Sequence, residues 1–356
     1  MLSTEQRTAH DLALAFLRDP NPPRPYWLIS GLAGTGKTET LATLARAVPT
    51  STLCAFTGKA ASVLRARTGL RVSTIHSFLY DRTGEERDAR GRKQPTFKSK
   101  LLNHAGLVIF VDESSTVGEK LGTDLIKTGA KIIACGDPGQ LPPINDVPFF
   151  GEADVTLTEV HRQAWESPII RQAHAVRSGG SYRADGDAFR VVVRAEMTAD
   201  DISFGDIALC HRNETRRRLN ASRRRALGIT GLTLRRGEPV MTLRNDRSLG
   251  VYNGTVCVVD RDREPGDDLV VVDDSGRRVN ILNTSCEMID TDFEQRRYDQ
   301  DFMPVTLAYA CTTHKAQGSG WRDVLFIDEY PADDQRTAFV YTALTRAAER
   351  ILVVTP

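Results

Sequence analysis

Short apolar runs alternate along this chain with stretches in which apolar residues recur every three or four positions. Tyr26-Trp27-Leu28-Ile29-Ser30, Thr52–Phe56, Leu107–Val111 and Ile132–Cys135 have the length and texture of strands buried on both faces. Between them, Glu39–Val48, Lys59–Arg67 and Leu121–Lys127 carry helical spacing. An amphipathic helix is predicted over residues 2–17, ended by Pro20, Pro22, Pro23 and Pro25. The alternation predicts an α/β fold: a parallel sheet with helices on both faces and ligands at the carboxyl ends of its strands. A second set follows from residue 151, with strands at Val155–Leu157 and Asp206–Leu209 and helices at Ser167–Arg177 and Asn213–Ala226.

The period then drops to two. Pro239–Leu243, Thr255–Val259, Leu269–Val272 and Val279–Leu282 alternate as half-buried strands do, and Asn253-Gly254 is a hairpin-turn signal between two of them. A small all-β module is therefore expected at about 235–290. Val305–Ala310, Val324–Asp328 and Ile351–Val354 read as further parallel strands, so the module interrupts the second α/β half. One polar interruption stands apart. Residues 81–100 are highly charged, and Phe97 is their only large apolar side chain. A loop that long is either functional or simply solvated.

With 356 residues the chain exceeds one ordinary core. Its 40% hydrophobic and 26% charged residues are those of a soluble protein, and a net charge of +1 confines any nucleic-acid surface to a local patch. Cys54, Cys135, Cys210, Cys257, Cys286 and Cys311 are widely spaced without C-x-x-C, as buried thiols in a reducing compartment would be. No apolar run approaches the ~18 residues of a membrane span and no signal-peptide pattern opens the chain, so a cytoplasmic location is expected.

The chemistry concentrates at strand ends. Gly31-Leu32-Ala33-Gly34-Thr35-Gly36-Lys37-Thr38 fits the phosphate-loop pattern and lies between a predicted strand and a predicted helix. Backbone N–H groups and the helix dipole there hold a polyphosphate, and glycines let the backbone wrap it. Lys37 is expected on the outer phosphates and Thr38 on Mg²⁺. Asp112-Glu113 end an apolar strand: Asp112 suits Mg²⁺, and Glu113 suits the attacking water. Gln140, in Gly136-Asp137-Pro138-Gly139-Gln140-Leu141-Pro142-Pro143, suits contact with a terminal phosphate, although residue types alone read equally as a proline-rich turn. The arginines of 212–225 allow a basic stripe, but a solvated, ion-paired surface is the preferred reading.

The order of these motifs resembles a superfamily 1 helicase of the RecD-like/Dda-like subgroup over nearly the whole chain. Glu5-Gln6 resembles the adenine-reading motif; Phe56–Ala61 and Ser73–Phe78 resemble DNA-contacting motifs. Leu157–Gln163, Thr312–Gly318 and Val340–Arg346 resemble the motifs of the second motor half. The resemblance implies two RecA-like parallel-sheet motor domains: residues 1–150, carrying a β-hairpin pin at 81–100, and 151–234 with 303–356. It also implies an SH3-like β-barrel insertion at 235–302. ATP then binds through Gln6, Gly34, Thr35, Gly36, Lys37, Thr38, Asp112, Gln317 and Gly318, while Lys37, Glu113, Gln140, Arg162 and Arg346 act in hydrolysis. The nucleic-acid contacts carried over are Thr57, Lys59, Thr74, His76, Pro142, Pro143, Thr312, His314 and Lys315, with Phe97 at the pin. The expected activity is ATP-dependent 5′ to 3′ movement on single-stranded DNA, with separation of fork and duplex junctions. An RNA helicase or nucleoprotein remodeller on the same motor, and a scaffold with a regulatory nucleotide site, are the competing readings. A monomer is expected, with no membrane association; single-strand-binding or replication proteins stay open as partners.

Overall fold

The apolar runs become strands largely where their spacing predicts them. The computed structural model describes residues 2–87, 93–100, 104–143, 146–160, 165–246, 249–273, 276–296 and 302–356, with side chains except at 82, 84–87 and 93–97. Two units are distinguished: Met1–Arg82, Phe97–Tyr182 and Ala332–Thr345; and Thr83–Thr96, Arg183–Pro331 and Arg346–Pro356.

The first unit opens with α1 (Thr4–Arg18), whose Ser3 and Gln6 form a reciprocal capping box. Then come β1 (Tyr26–Gly31), α2 (Lys37–Ala47), β2 (Ser51–Ala55), α3 (Gly58–Thr68) and β3 (Val72–Thr74). After a short helix at Ile75–Leu79, β4 (Tyr80–Arg87) and β5 (Lys93–Ser99) pair in a two-stranded sheet, of which Thr83–Arg87 and Lys93–Thr96 belong to the second unit. Next are β6 (Val108–Asp112), β7 (Lys131–Gly136) and β8 (Val155–Leu157). The main sheet runs β3-β2-β6-β7-β1-β8, and every pairing in it is parallel.

Successive side chains leave a strand on opposite faces, which sorts this core into two layers. Ile29, Phe110 and Ile133 pack with Ala9, Leu41, Leu44 and Leu64 of α1–α3. Their neighbours Leu28, Ile109 and Ile132 pack on the other face with Leu79, Leu121 and Leu125. The sequence reading starts the second half at residue 151, but β8 completes the first sheet beside β1. Three residues are too few to carry a preference between sheets.

In the second unit, β9 (Phe189–Val193), β10 (Ile207–Cys210), β17 (Ala310–Thr312), β18 (Trp321–Ile327) and β19 (Ala347–Thr355) form another parallel sheet, ordered β17-β10-β18-β19-β9. The intervening strands β11 (Pro239–Thr242), β12 (Val256–Val259), β13 (Leu269–Val272), β14 (Arg278–Ile281), β15 (Thr284–Glu287) and β16 (Met303–Leu307) form a separate sheet, ordered β14-β13-β12-β11-β16-β15. All its pairings are antiparallel except β15 with β16. The run after Pro304, read from sequence as a parallel motor strand, thus belongs mostly to the β-rich sheet. All five residues of β16 are buried, so no polar alternation marks its membership. Gly254 adopts φ 87° and its N–H bonds the Thr242 carbonyl at 2.8 Å, closing a longer loop rather than a two-residue hairpin.

The helix Asn213–Ala226 departs furthest from its sequence reading. Arg216, Arg223 and Arg224 are buried rather than solvated. Arg216 pairs with Glu287 at 2.7 Å and Arg224 with Glu238 at 2.8 Å. Among the described residues no helix is long and apolar enough to cross a membrane.

Candidate nucleotide and nucleic-acid site

The phosphate loop follows β1 and ends at the start of α2. Gly34 (φ 86°) and Gly36 (φ 77°) take left-handed backbone, which a side chain would oppose; Gly36 is also the residue before the helix. Thr35 is buried, and its Oγ1 donates to the Leu32 carbonyl at 2.9 Å. The Lys37 Nζ donates to the same carbonyl at 2.9 Å and lies 3.7 Å from Asp137 Oδ2. Gln6, 2% exposed on α1, donates from Nε2 to the Thr35 carbonyl at 3.1 Å. Beside it, the Glu5 carboxylate accepts Thr158 Oγ1 at 2.6 Å and the Thr158 and Glu159 amides at 2.8 Å each. Those bonds, the Thr158 hydroxyl first, hold Glu5 below the ordinary carboxylate range.

At the end of β6, Asp112 Oδ2 accepts Thr38 Oγ1 at 3.2 Å and Oδ1 accepts the Glu113 amide at 3.0 Å. Burial pushes the Asp112 carboxyl upward, against the pull of the Glu113 amide, Lys37 and Thr38. A hydroxyl and a carboxylate converging on one point are hard oxygen donors of the kind Mg²⁺ takes, and a cation there would reverse the burial effect. Glu113 itself sits at φ 56°, ψ 41°, a left-handed conformation rare for a residue with a side chain and frequent at functional sites. Beyond β7, Gln140 is 9% exposed and its Oε1 has no hydrogen-bond partner among the described residues. A buried acceptor left unmatched is costly unless a ligand or solvent donor meets it.

Two helix starts lie at the same carboxyl edge. Thr57 caps α3 by accepting the Ala60 amide at 3.1 Å, and Thr74 caps the Ile75–Leu79 helix by accepting the Ser77 amide at 3.1 Å. Strands β2 and β3 pair with Ala55 opposite Thr74, so the two caps are neighbours. Both hydroxyls serve their own helices, and Lys59 and His76 follow in the first turns. His76 is exposed, yet the protein packed around it and then the Lys120 charge lower its pKa. Its ring lies 6.4 Å from Phe56 and 5.8 Å from Tyr80. Pro142 and Pro143 are half-buried.

Thr312, His314 and Lys315 lie in the second unit, at the end of β17 and in the single turn Thr313–Ala316. Desolvation, then His211, lowers the His314 pKa. Lys315 is exposed, but its crowded surroundings and then Arg216 hold its ammonium below the usual lysine range. Gln317, Gly318 and Arg346 also belong to that unit, where the buried Arg346 donates from Nη1 to the Ser319 carbonyl at 3.1 Å. Arg162 lies outside the described residues, as does the Phe97 side chain, whose backbone is in β5.

Sequence reasoning assigned no separate role to Asp137, His174 or Tyr341. All three belong to the first unit and surround the phosphate loop. Tyr341 Oη accepts the Ala33 amide at 2.7 Å and donates to Asp137 Oδ2 at 2.9 Å; His174 Nε2 lies 3.1 Å from the Ala33 carbonyl. The available signal was polar: Tyr341 and Thr342 interrupt the otherwise apolar buried stretch Phe339–Leu344 of the helix at Arg336–Leu344.

Residues 2–194 match the family described as AAA domain, and residues 307–354 match the family described as UvrD-like helicase C-terminal domain. The chain is 30% identical over 357 residues to the ATP-dependent RecD2 DNA helicase of Deinococcus radiodurans, covering 91% of this chain and 46% of that protein. It thus spans about half the length of that relative. It is 27% identical over 437 residues to the RecBCD enzyme subunit RecD of Mycobacterium tuberculosis, covering 98% and 68%. In fold it resembles Bacteroides Pif1 bound to ssDNA, with a TM-score of 0.65 at 20% identity over 99% of this chain and 92% of that one.

Proposed function

We propose that this chain, which belongs to the AAA domain family and is a superfamily 1 helicase of the RecD-like and Pif1-like kind, is an ATP-driven motor on single-stranded DNA. In this reading it moves 5′ to 3′ and separates duplex ahead of it. The observation carrying the proposal is the convergence of Lys37, the Thr38–Asp112 pair and the unmatched Gln140 acceptor at one sheet edge. The paired helix starts of Thr57 and Thr74 lie along that edge, suited to a polynucleotide backbone. The named relatives support the substrate: one is a DNA helicase and one solved relative holds ssDNA.

Lys37 neutralises the outer phosphates, and Glu113 orients the water and takes its proton as the oxygen attacks the terminal phosphorus and the bond to the bridging oxygen breaks. Thr38 and Asp112 are the residues that would hold Mg²⁺, which supplies charge neutralisation when bound. Gln140 meets the terminal phosphate, and Arg162 and Arg346 add guanidinium charge to it. Gln6 fixes the loop's end beside the base, with Gln317 and Gly318 completing the nucleotide contacts. The DNA strand is held by Thr57, Lys59, Thr74, His76, Pro142 and Pro143 in one motor half and by Thr312, His314 and Lys315 in the other. The β4–β5 sheet serves as the separating pin, with Phe97 at the junction, and the β11–β16 sheet is the SH3-like insertion.

The test is ATP hydrolysis with and without single-stranded DNA, followed by unwinding of 5′-tailed and 3′-tailed duplexes in DNA and RNA forms. Hydrolysis should rise with DNA, and unwinding should need a 5′ DNA tail. Glu113→Gln should lower turnover on the order of 10²–10⁴-fold, and Lys37→Ala should abolish it. Hydrolysis indifferent to DNA would sink the proposal, and stimulation by RNA alone would redirect it to the RNA motor.

A further inference from the structure

The Tyr341 side chain is fully buried, and its hydroxyl reaches a backbone donor of the phosphate loop. Its one proton goes to Asp137 Oδ2 at 2.9 Å, so a lone pair faces the Ala33 N–H at 2.7 Å. Asp137 Oδ2 also lies 3.7 Å from Lys37 Nζ, which marks this as the outer-phosphate end of the loop. His174 takes the carbonyl of the same residue, so Ala33 is held at both its polar groups.

An N–H in this geometry serves one strong acceptor at a time. A phosphate oxygen is charged and makes the stronger bond, so the two acceptors exclude each other and the phosphate wins. The hydroxyl cannot move aside alone. A Cβ at Gly139 would sit 2.9 Å from the Tyr341 ring and 3.0 Å from Arg177, so the Gly136–Pro143 loop is pressed directly on that ring. One residue on, Thr342 Oγ1 accepts the Leu141 amide at 3.0 Å. Pro142 and Pro143 follow immediately in the chain.

We propose that the Tyr341 hydroxyl competes with the terminal phosphate of the nucleotide for the Ala33 N–H. Tyr341 is then a positioning residue: its displacement passes terminal-phosphate occupancy through Asp137, Gly139 and the Thr342–Leu141 bond to the loop carrying Pro142 and Pro143. This deepens the nucleotide reading above and rests on it.

The experiment titrates the full chain with fluorescent non-hydrolysable ATP and with fluorescent ADP, for wild type, Tyr341→Phe and Thr342→Val. Both substitutions keep side-chain shape, and thermal melting checks each fold. Tyr341→Phe should raise the ratio of ATP-analogue to ADP affinity roughly two- to tenfold, the worth of one neutral hydrogen bond no longer opposing the ligand. It should also lower stimulation of hydrolysis by DNA. Thr342→Val should leave the ratio as in wild type and lower only the stimulation. An unchanged ratio in Tyr341→Phe, or an equal shift for both nucleotides, overturns the proposal, as does the same ratio change in Thr342→Val. Wild type binding neither nucleotide would instead remove the underlying reading.

Discussion

Helix α2 and the helix Asn213–Ala226 each follow a strand of a parallel sheet and pack on that sheet, yet they bury opposite kinds of surface. α2 buries Leu41, Ala42, Leu44 and Ala45 beside Thr40, whose hydroxyl bonds back to the Gly36 carbonyl, so its attachment is chiefly non-directional apolar contact. Asn213–Ala226 buries Leu219 with Arg216, Asn220, Arg223 and Arg224. Each guanidinium has fixed partners. Arg216 meets Glu287 and Thr306; Arg224 meets Glu238 and the Gly231 and Thr233 carbonyls. Arg223 donates to the carbonyls of Ile202, Phe204, Gly205 and Tyr309, and desolvation draws its pKa down to about 10. An apolar face says that a helix attaches; a buried cation also says where. Glu238 and Glu287 flank or lie in the β-rich sheet, so these cations fasten the helix of one sheet to the strands of another within the second unit.

The largest effect that would break this comparison comes from cutting one cation away. Arg224→Ala leaves Glu238, 1% exposed, buried without its ion-pair partner; a loss on the order of 4 kcal/mol is expected. Hydrogen exchange should locate the loss in β10, β11 and β16 rather than in β1 or β7. Arg218, paired with Glu214 at the exposed surface of the same helix, serves as the control, and Arg218→Ala should cost about 0.5 kcal/mol or less. Equal losses for the two would mean the arginines act as solvated surface after all. Leu44→Ala, at a fully buried position in α2, should cost on the order of 3 kcal/mol through lost contact and residual cavity. Here a leucine-sized substitute such as methionine should recover most of the loss. Arg224→Met should not, because bulk does not replace charge. Recovery by Met at both positions would erase the distinction.

The same contrast explains what was legible in the chain. The edge carrying Lys37, Thr38, Asp112 and Gln140 was readable because buried parallel strands are continuous apolar runs, and chemistry collects where each run stops. Period two likewise revealed β11–β14. Burial of Arg216, Arg223 and Arg224 was not readable, since charge spacing on a helix looks the same whether its partners are water or carboxylates and carbonyls elsewhere in the chain. β16 misled for the reverse reason: a run buried on every side carries no trace of its neighbours. The Arg336–Leu344 helix joins the first unit from far along the chain, so Tyr341 at Ala33 depended on a return of the chain that no local pattern encodes. Arg162 and the side chain of Phe97 lie outside the described residues.

The smallest effect asks whether directional fastening belongs to the second unit or to polar groups wherever they are held. Glu5 is its counterpart in the first unit: one carboxylate accepting three hydrogen bonds from Thr158 and Glu159. Those bonds lower its pKa from the usual 4.5, with the Thr158 hydroxyl the largest cause. The unfolded chain therefore binds the proton more readily than the folded one, and the fastening is fully present above about pH 4.5 and lost as pH falls through the lower folded value. Because Glu5 is partly exposed, its worth is expected at about 1 kcal/mol or less. Glu5→Gln should thus melt slightly below wild type at pH 7, and the gap should close on acidification as wild type loses the same charge. A gap that stayed constant from pH 7 to pH 3.5 would mean that packing, not the charged acceptor, holds α1 to the Thr158 segment. Directional fastening would then be particular to the arginine helix.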